Sequence, residues 1–142
     1  MKTLHILLAT LLALIALPAT AQVQITDAYA RSSGPSGAVY LVLTNPDATD
    51  DRLLSVSTDA AMMAELHSSV TDAAGVTSML ALPDGVVIPA AGSHALARGG
   101  DHIMLMGLTN PVKDGDTLRL TLTFARAGVV QLDVVVDNAR LK

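Results

Sequence analysis

The stretch TLRLTLTFA, residues 117–125, alternates polar and apolar side chains over its first eight positions. In a β-strand, successive side chains point to opposite faces, so this pattern is typical of a strand with one buried face. The pattern continues beyond a turn at 126–128 into residues 129–137. We therefore expect two adjacent antiparallel strands. The side chains expected to face the core are Leu118, Leu120, Leu122, Phe124, Val130, Leu132, Val134 and Val136.

The rest of the chain contains short apolar runs that are separated by turn-forming residues. No segment after residue 21 has a convincing helical period. Many short strands with frequent turn signals predict an all-β fold, an antiparallel Greek-key sandwich or barrel. The further predicted strands are 23–30, 38–44, 53–57, 62–68, 76–82, 86–88, 94–97 and 99–108.

The N-terminus has the layout of a secretory signal peptide. Lys2 precedes an apolar run at 7–17, and small residues at 18–21 precede Gln22. The run is too short to span a bilayer, although an N-terminal membrane anchor is the alternative interpretation. We predict a cleaved leader at residues 1–21, one mature domain at 22–142, and a periplasmic location.

Composition excludes several classes of function. The chain of 142 residues has a net charge of −4 and no basic run, which argues against nucleic acid or an anionic membrane surface as partner. No second long apolar run follows the leader, so we expect no membrane insertion after processing. Cysteine is absent, which excludes thiolate nucleophiles, cysteine zinc sites, iron–sulfur clusters and blue-copper centres.

A second informative stretch is GGDHIMLMGL, residues 99–108. If it is a strand, His102, Met104 and Met106 share one face. Ile103 and Leu105 then lie on the other face. An imidazole beside thioethers is a pattern that soft-metal sites use and that core packing rarely needs.

His67 and Met79 can supply partners for this strand. They lie in neighbouring predicted strands on either side of a turn centred near Ala73, so we expect them to be cross-strand neighbours. With His102 and Met104 they would form a site of two imidazoles and two thioethers. Four neutral, largely soft donors suit Cu(I) better than Zn²⁺, Ca²⁺ or Mg²⁺.

Simpler interpretations compete with a metal role for several of these residues. Methionine is a common core filler, and Met106 in particular can be a packing residue. Met62 and Met63 are adjacent, so at most one of them faces a site. His94 follows a turn and is expected to be an exposed or hydrogen-bonded surface histidine. Glu65 shares a face with His67, either as an acceptor for that imidazole or as a solvated strand residue.

The order His67, Met79, His102, Met104 resembles the His-x11-Met-x22-His-x-Met pattern of the periplasmic copper chaperones of the PCu(A)C family, formerly a domain of unknown function. The resemblance covers nearly the whole mature chain. Other matching segments are DAYAR at 27–31, AVYLVLTN at 38–45, ELH at 65–67, IPA at 88–90, the stretch at 99–108 and GDTL at 115–118.

The resemblance implies a cupredoxin-like β-barrel that holds Cu(I) through the two histidines and two methionines. It also implies delivery to the dinuclear copper centre of cytochrome c oxidase subunit II, often with a Sco-type thiol partner, and no enzymatic activity. Two features depart from the family. Ser68 stands where many members have methionine, and the C-terminus at 137–142 lacks a tail rich in methionine and histidine.

Two other functions are compatible with the sequence. A structural or adhesive β-sandwich would need no metal, and it would leave the clustering of histidine and methionine unexplained. A metallo-hydrolase would need a carboxylate or a third histidine as a ligand, together with bound water. Asp101 and Glu65 are the nearby candidates for that carboxylate.

Overall fold

The structure is a computed structural model that describes residues 22–140. The predicted leader, residues 1–21, lies outside the described residues, as do Leu141 and Lys142. Ten strands form within the described residues, and each corresponds to a stretch that the sequence predicts. They are β1 (Gln24–Ser33), β2 (Ser36–Asn45), β3 (Asp51–Thr58), β4 (Ala61–Thr71), β5 (Thr77–Ala81), β6 (Val86–Ile88), β7 (Gly92–Leu96), β8 (Asp101–Leu108), β9 (Thr117–Phe124) and β10 (Gly128–Val135).

The strands form two sheets, and all pairings between these ten strands are antiparallel. One sheet has the order β1-β2-β8-β4-β5, with β7 also paired to β2, and the other has the order β10-β9-β3-β6. Among the described residues the chain passes from one sheet to the other five times, after β2, β3, β5, β6 and β8. The prediction of an all-β antiparallel fold is confirmed, and between residues 22 and 140 the structure contains no helix. Consequently none of these residues belongs to a helix that could cross a membrane.

The core lies between the two sheets, as alternating strands require. In β9 the predicted inward set is buried, and Leu120 and Leu122 are fully enclosed. In β10 the inward set is enclosed only toward its C-terminal end, at Val134 and Val136, while Val130 and Leu132 are partly exposed. Burial in β2 alternates over its whole length. The period-two patterns therefore decide which face of each strand meets the core.

The strand β8 shows the same alternation, which determines where its polar side chains lie. Ile103 and Leu105 have no solvent-exposed surface and pack in the core. Met104 and Met106 are partly exposed on the other face of the sheet. His102 shares their position in the alternation and is nevertheless 97% shielded from solvent. The outer face of β8 and its neighbours therefore carries the candidate metal ligands.

Candidate metal centre

His67 and His102 lie directly opposite each other on β4 and β8. Their ring centroids are 6.1 Å apart and their planes are inclined at 67°. A metal–imidazole bond is about 2 Å long and the ring centroid is about 1 Å further, so two imidazoles on one ion have centroids separated by up to about 6 Å. The observed separation is at the upper end of this range. The backbone register therefore places the two rings next to each other on one face of the sheet.

A backbone hydrogen bond orients the imidazole of His102. Its Nδ1 is 3.0 Å from the carbonyl oxygen of Gly100. A carbonyl only accepts hydrogen bonds, so Nδ1 carries the proton and donates it. In the neutral ring the lone pair is then on Nε2. Protein metal sites commonly orient a histidine ligand in this way.

A carboxylate orients the imidazole of His67. Its Nε2 is 3.1 Å from Oε2 of Glu65, which is two residues away on the same face of β4. If Nε2 donates to this carboxylate, the neutral ring has its lone pair on Nδ1. Among the residues that the structure describes, Nδ1 of His67 is the buried side-chain polar atom without a hydrogen-bond partner. Such an atom needs an explanation, and a metal ion would provide the missing interaction.

The two methionines predicted as ligands lie on either side of this histidine pair. Met104 follows His102 by two residues and is opposite Glu65 on β4. Met79 lies on the edge strand β5 with 58% of its surface exposed. Both side chains line one surface cavity, together with Tyr40. The structure therefore brings all four predicted ligands to the outer face of one sheet.

The predicted register of the β4–β5 hairpin is wrong by two residues. His67 is opposite Ala81, and Met79 is opposite Ser69. The five-residue turn runs from 72 to 76, since the carboxylate of Asp72 accepts hydrogen bonds from the backbone at 74 and 76. A shift of two residues preserves the face of a strand. Met79 is therefore a diagonal neighbour of His67, a separation that long side chains can bridge.

His94 lies within β7, opposite Leu43, two residues after the strand begins, as the predicted strand 94–97 implies. Its Nε2 is 2.9 Å from Oδ2 of Asp101, so the expectation of a hydrogen-bonded histidine is confirmed. The carboxylate of Asp101 is therefore hydrogen-bonded to His94. The expectation that at most one of two adjacent methionines faces the site also holds by position, because Met63 shares the face of Glu65 and Met62 does not.

Tyr40 is a site residue that the sequence analysis did not single out for a role. It lies on the outward side of β2, and its ring centroid is 6.3 Å from that of His102. Burial raises the pKa of the Tyr40 phenol above its ordinary value, against the opposing effect of Arg98. The phenol therefore stays neutral at physiological pH and adds no charge beside the histidines. The alternation of β2 was the available signal for its placement.

Within residues 22–140 no three His, Cys, Asp or Glu side chains are grouped so that they could hold a metal ion. A metal centre at the histidine pair would therefore need donors of another kind, and Met79 and Met104 are the thioethers that the sequence predicts for it. Neutral imidazole and thioether donors form a set that suits Cu(I) and other soft ions.

The chain is similar to a described protein family and to a relative from another organism. Residues 23–136 match the family described as "Putative lipoprotein LpqE-like". A relative from Leifsonia xyli subsp. xyli (strain CTCB07), named "Putative lipoprotein Lxx21020", is 34% identical over 156 residues. The match covers 96% of this chain and 93% of the relative.

Solved structures share the fold. The solution structure of Cu(I)-DR1885 from Deinococcus radiodurans has a TM-score of 0.62 and 31% identity, and the match covers 88% of this chain and 82% of that one. The copper-bound PCuAC domain from PmoF2 has a TM-score of 0.68 and 21% identity, covering 84% and 95%. The apo PCuAC domain from PmoF1 has a TM-score of 0.68 and 23% identity, covering 84% and 96%. The fold is thus the cupredoxin-like sandwich of PCuAC domains.

Proposed function

The chain belongs to the LpqE-like family, and from this premise we propose that it is an exported copper carrier that holds one Cu(I) ion tightly between His67, Met79, His102 and Met104. The relation to the copper-loaded protein of Deinococcus radiodurans, at 31% identity, supports copper as the cargo. The observation that carries the proposal is the unpartnered, buried Nδ1 of His67 beside a second, oriented imidazole.

The chemistry of the donor set favours carriage over catalysis. Four neutral donors leave the charge of Cu(I) uncompensated at the metal, so the ion is released more readily than from thiolate ligands. The same ligands do not depend on reduced thiols, which an oxidising compartment converts to disulfides. The proposed role is therefore non-enzymatic, and the protein gives its ion to an acceptor with stronger ligands.

The proposed location is the periplasm, reached through the leader at residues 1–21. The relatives' names describe lipoproteins, which agrees with export. The sequence given has no cysteine to which a lipid could be thiol-linked. The proposed acceptor is the dinuclear copper centre of cytochrome c oxidase subunit II, with a Sco-type thiol protein as a further partner.

An anaerobic titration with Cu(I) against a colorimetric chelator tests the ligand set. We expect one tightly bound ion per chain, and loss of tight binding when His102→Ala is combined with Met104→Ala. His94→Ala is the matched control, because this histidine lies in the same sheet and hydrogen-bonds Asp101. Circular dichroism checks that each variant is folded. Tight binding by the double variant would contradict the proposal.

A transfer assay tests the acceptor separately. The Cu(I)-loaded protein is mixed with the soluble copper domain of oxidase subunit II, and copper in each protein is measured after separation. We expect copper to move to the acceptor. Retention of copper by the donor would overturn the delivery step and leave the ligand assignment intact.

A further inference from the structure

Two more thioethers lie on the outer face of β4 and β8, next to the proposed copper site. Met63 on β4 is directly opposite Met106 on β8. This pair is two residues from the Glu65–Met104 pair and four residues from the histidine pair, on the same face of the sheet. The outer face therefore presents successive rows of donors, from the two imidazoles to the two methionines.

Core packing does not account for the Met63–Met106 pair. Met63 has 51% of its surface exposed, and Met106 is also partly exposed. The core side of β8 is occupied by Ile103 and Leu105, which are fully buried. Two opposed thioethers on the outer face therefore fill no interior space. Their position next to Met104 is what requires an explanation.

The chemistry of this row suits a soft monovalent ion. Directly opposite residues in an antiparallel pair have Cβ atoms about 4.5–5.5 Å apart, so two methionines there can direct both sulfur atoms at one ion. On its other side Met106 is opposite Ser36, a small residue that leaves the outer face open. Thioethers favour soft ions such as Cu(I) over hard, oxygen-preferring ions such as Mg²⁺ and Ca²⁺.

We propose that Met63 and Met106 form a second, weaker Cu(I) site through which the ion enters and leaves the His/Met site. Met104 is the neighbour of both sites, so it can bind the ion while the other ligands exchange. The ion stays Cu(I) throughout, and only sulfur and nitrogen ligands are exchanged. The transfer role rests on the proposed function, whereas metal binding by this pair is independent of it.

Met62 provides a matched control within the same strand. It points to the opposite side from Met63, and its Sδ lies 3.0 Å from the place where a Cβ on Gly107 would be. Met62 is 82% exposed, so a leucine there is tolerated as well as at Met63. Substitution of methionine by leucine removes the sulfur and keeps the apolar volume.

The test is a titration of the full exported chain, labelled with ¹³C in its methionine methyl groups, with Cu(I) under anaerobic conditions. We expect the methyl signals of Met79 and Met104 to shift with the first equivalent and those of Met63 and Met106 to shift with the second. Combining Met63→Leu with Met106→Leu should lower the bound copper from about two ions per chain to about one, and Met62→Leu should leave it unchanged.

Unshifted methyl signals of Met63 and Met106 beyond the second equivalent would overturn the proposal. Equal shifts of Met62 would also overturn it, because they would indicate unselective surface binding. A further variant, His67→Ala with His102→Ala, separates this result from the proposed function. If Met63 and Met106 bind copper both in this variant and in the native chain, the second site is supported. If the histidines of the native chain bind no copper in the same titration, the proposed function fails while the second site stands.

Discussion

His67 and His102 are direct partners across the β4–β8 ladder, with their ring centroids 6.1 Å apart. The neighbouring pair of this ladder, Leu66 and Ile103, is buried in the core. A slip of one residue between the strands would move an apolar side chain to the outer face and a histidine into the core. Core packing thus determines the register that brings the two imidazoles together.

The carboxylate of Glu65 should tune the affinity for copper. It accepts a hydrogen bond from His67 and so leaves the lone pair on the other ring nitrogen. We expect Glu65→Ala to weaken Cu(I) binding about 10- to 100-fold, as loss of such orienting partners does at other metal sites. Glu65→Gln, which keeps an acceptor oxygen, should lose less. Chelator competition measures both, and an affinity of Glu65→Ala equal to that of the native protein would refute this role.

Substitutions on the two faces of β8 should have different effects: those on the core face should reduce stability, and those on the outer face should reduce copper binding. Ile103→Ala leaves a cavity in the core and should lower the free energy of unfolding by about 2–5 kcal/mol. Met104→Leu conserves volume and should cost less than about 1.5 kcal/mol. It should nevertheless weaken Cu(I) binding by at least about 10-fold. Urea denaturation and chelator competition give the two quantities, and a large loss of stability without loss of affinity in Met104→Leu would favour a packing role.

Asp51 should contribute strongly to stability. It is buried, and its carboxylate accepts hydrogen bonds from the backbone of Arg126 at 2.9 Å and of Ala127 at 3.0 Å. These bonds fix the β9–β10 turn against β3. Asp51→Ala leaves the donors unpaired and should lower the free energy of unfolding by about 3 kcal/mol. The exposed control Asp59→Ala should change it by less than about 0.5 kcal/mol in the same urea titrations.

The exposed ion pair on the opposite sheet gives a prediction about pH. The hydrogen bond from Arg119 lowers the pKa of Asp133 below its ordinary value. Because the pKa is lower in the folded state, the pair favours folding above the ordinary carboxylate pKa, and this contribution is lost as the pH falls through the folded-state pKa. Arg119→Met should raise the pKa of Asp133 toward its ordinary value. Carboxyl ¹³C titration measures it, and an unchanged pKa would show that another group is responsible.

The sequence predicts the strands well because alternation acts locally. The pattern of β9 identifies its buried face, and His102 and Met104 fall on the outer face of β8 by the same rule. The hairpin register was less predictable, because the Asp72 carboxylate accepts hydrogen bonds from the backbone at 74 and 76, and these bonds decide where the turn ends. The turn therefore places Met79 opposite Ser69, two residues from the expected partner.

Contacts between distant segments account for what sequence patterns miss. Tyr40 lies beside His102 only because β2 pairs with β8, a pairing between strands that are far apart in the chain. The backbone carbonyl of Gly100 orients His102. Every residue has a backbone carbonyl, so the residue type at position 100 gives no sign of this role. Likewise Met63 and Met106 become a pair only once the β4–β8 register is known.

The central claim is that one Cu(I) ion is bound by the imidazoles of His67 and His102 and the thioethers of Met79 and Met104. X-ray absorption at the copper edge, on protein loaded with one equivalent of Cu(I), tests it most directly. The chain has no cysteine, so any sulfur in the coordination shell must come from methionine. We predict a shell with both nitrogen and sulfur, which loses its sulfur contribution when Met79→Leu and Met104→Leu are combined. A shell of nitrogen and oxygen alone in the native protein would contradict the account.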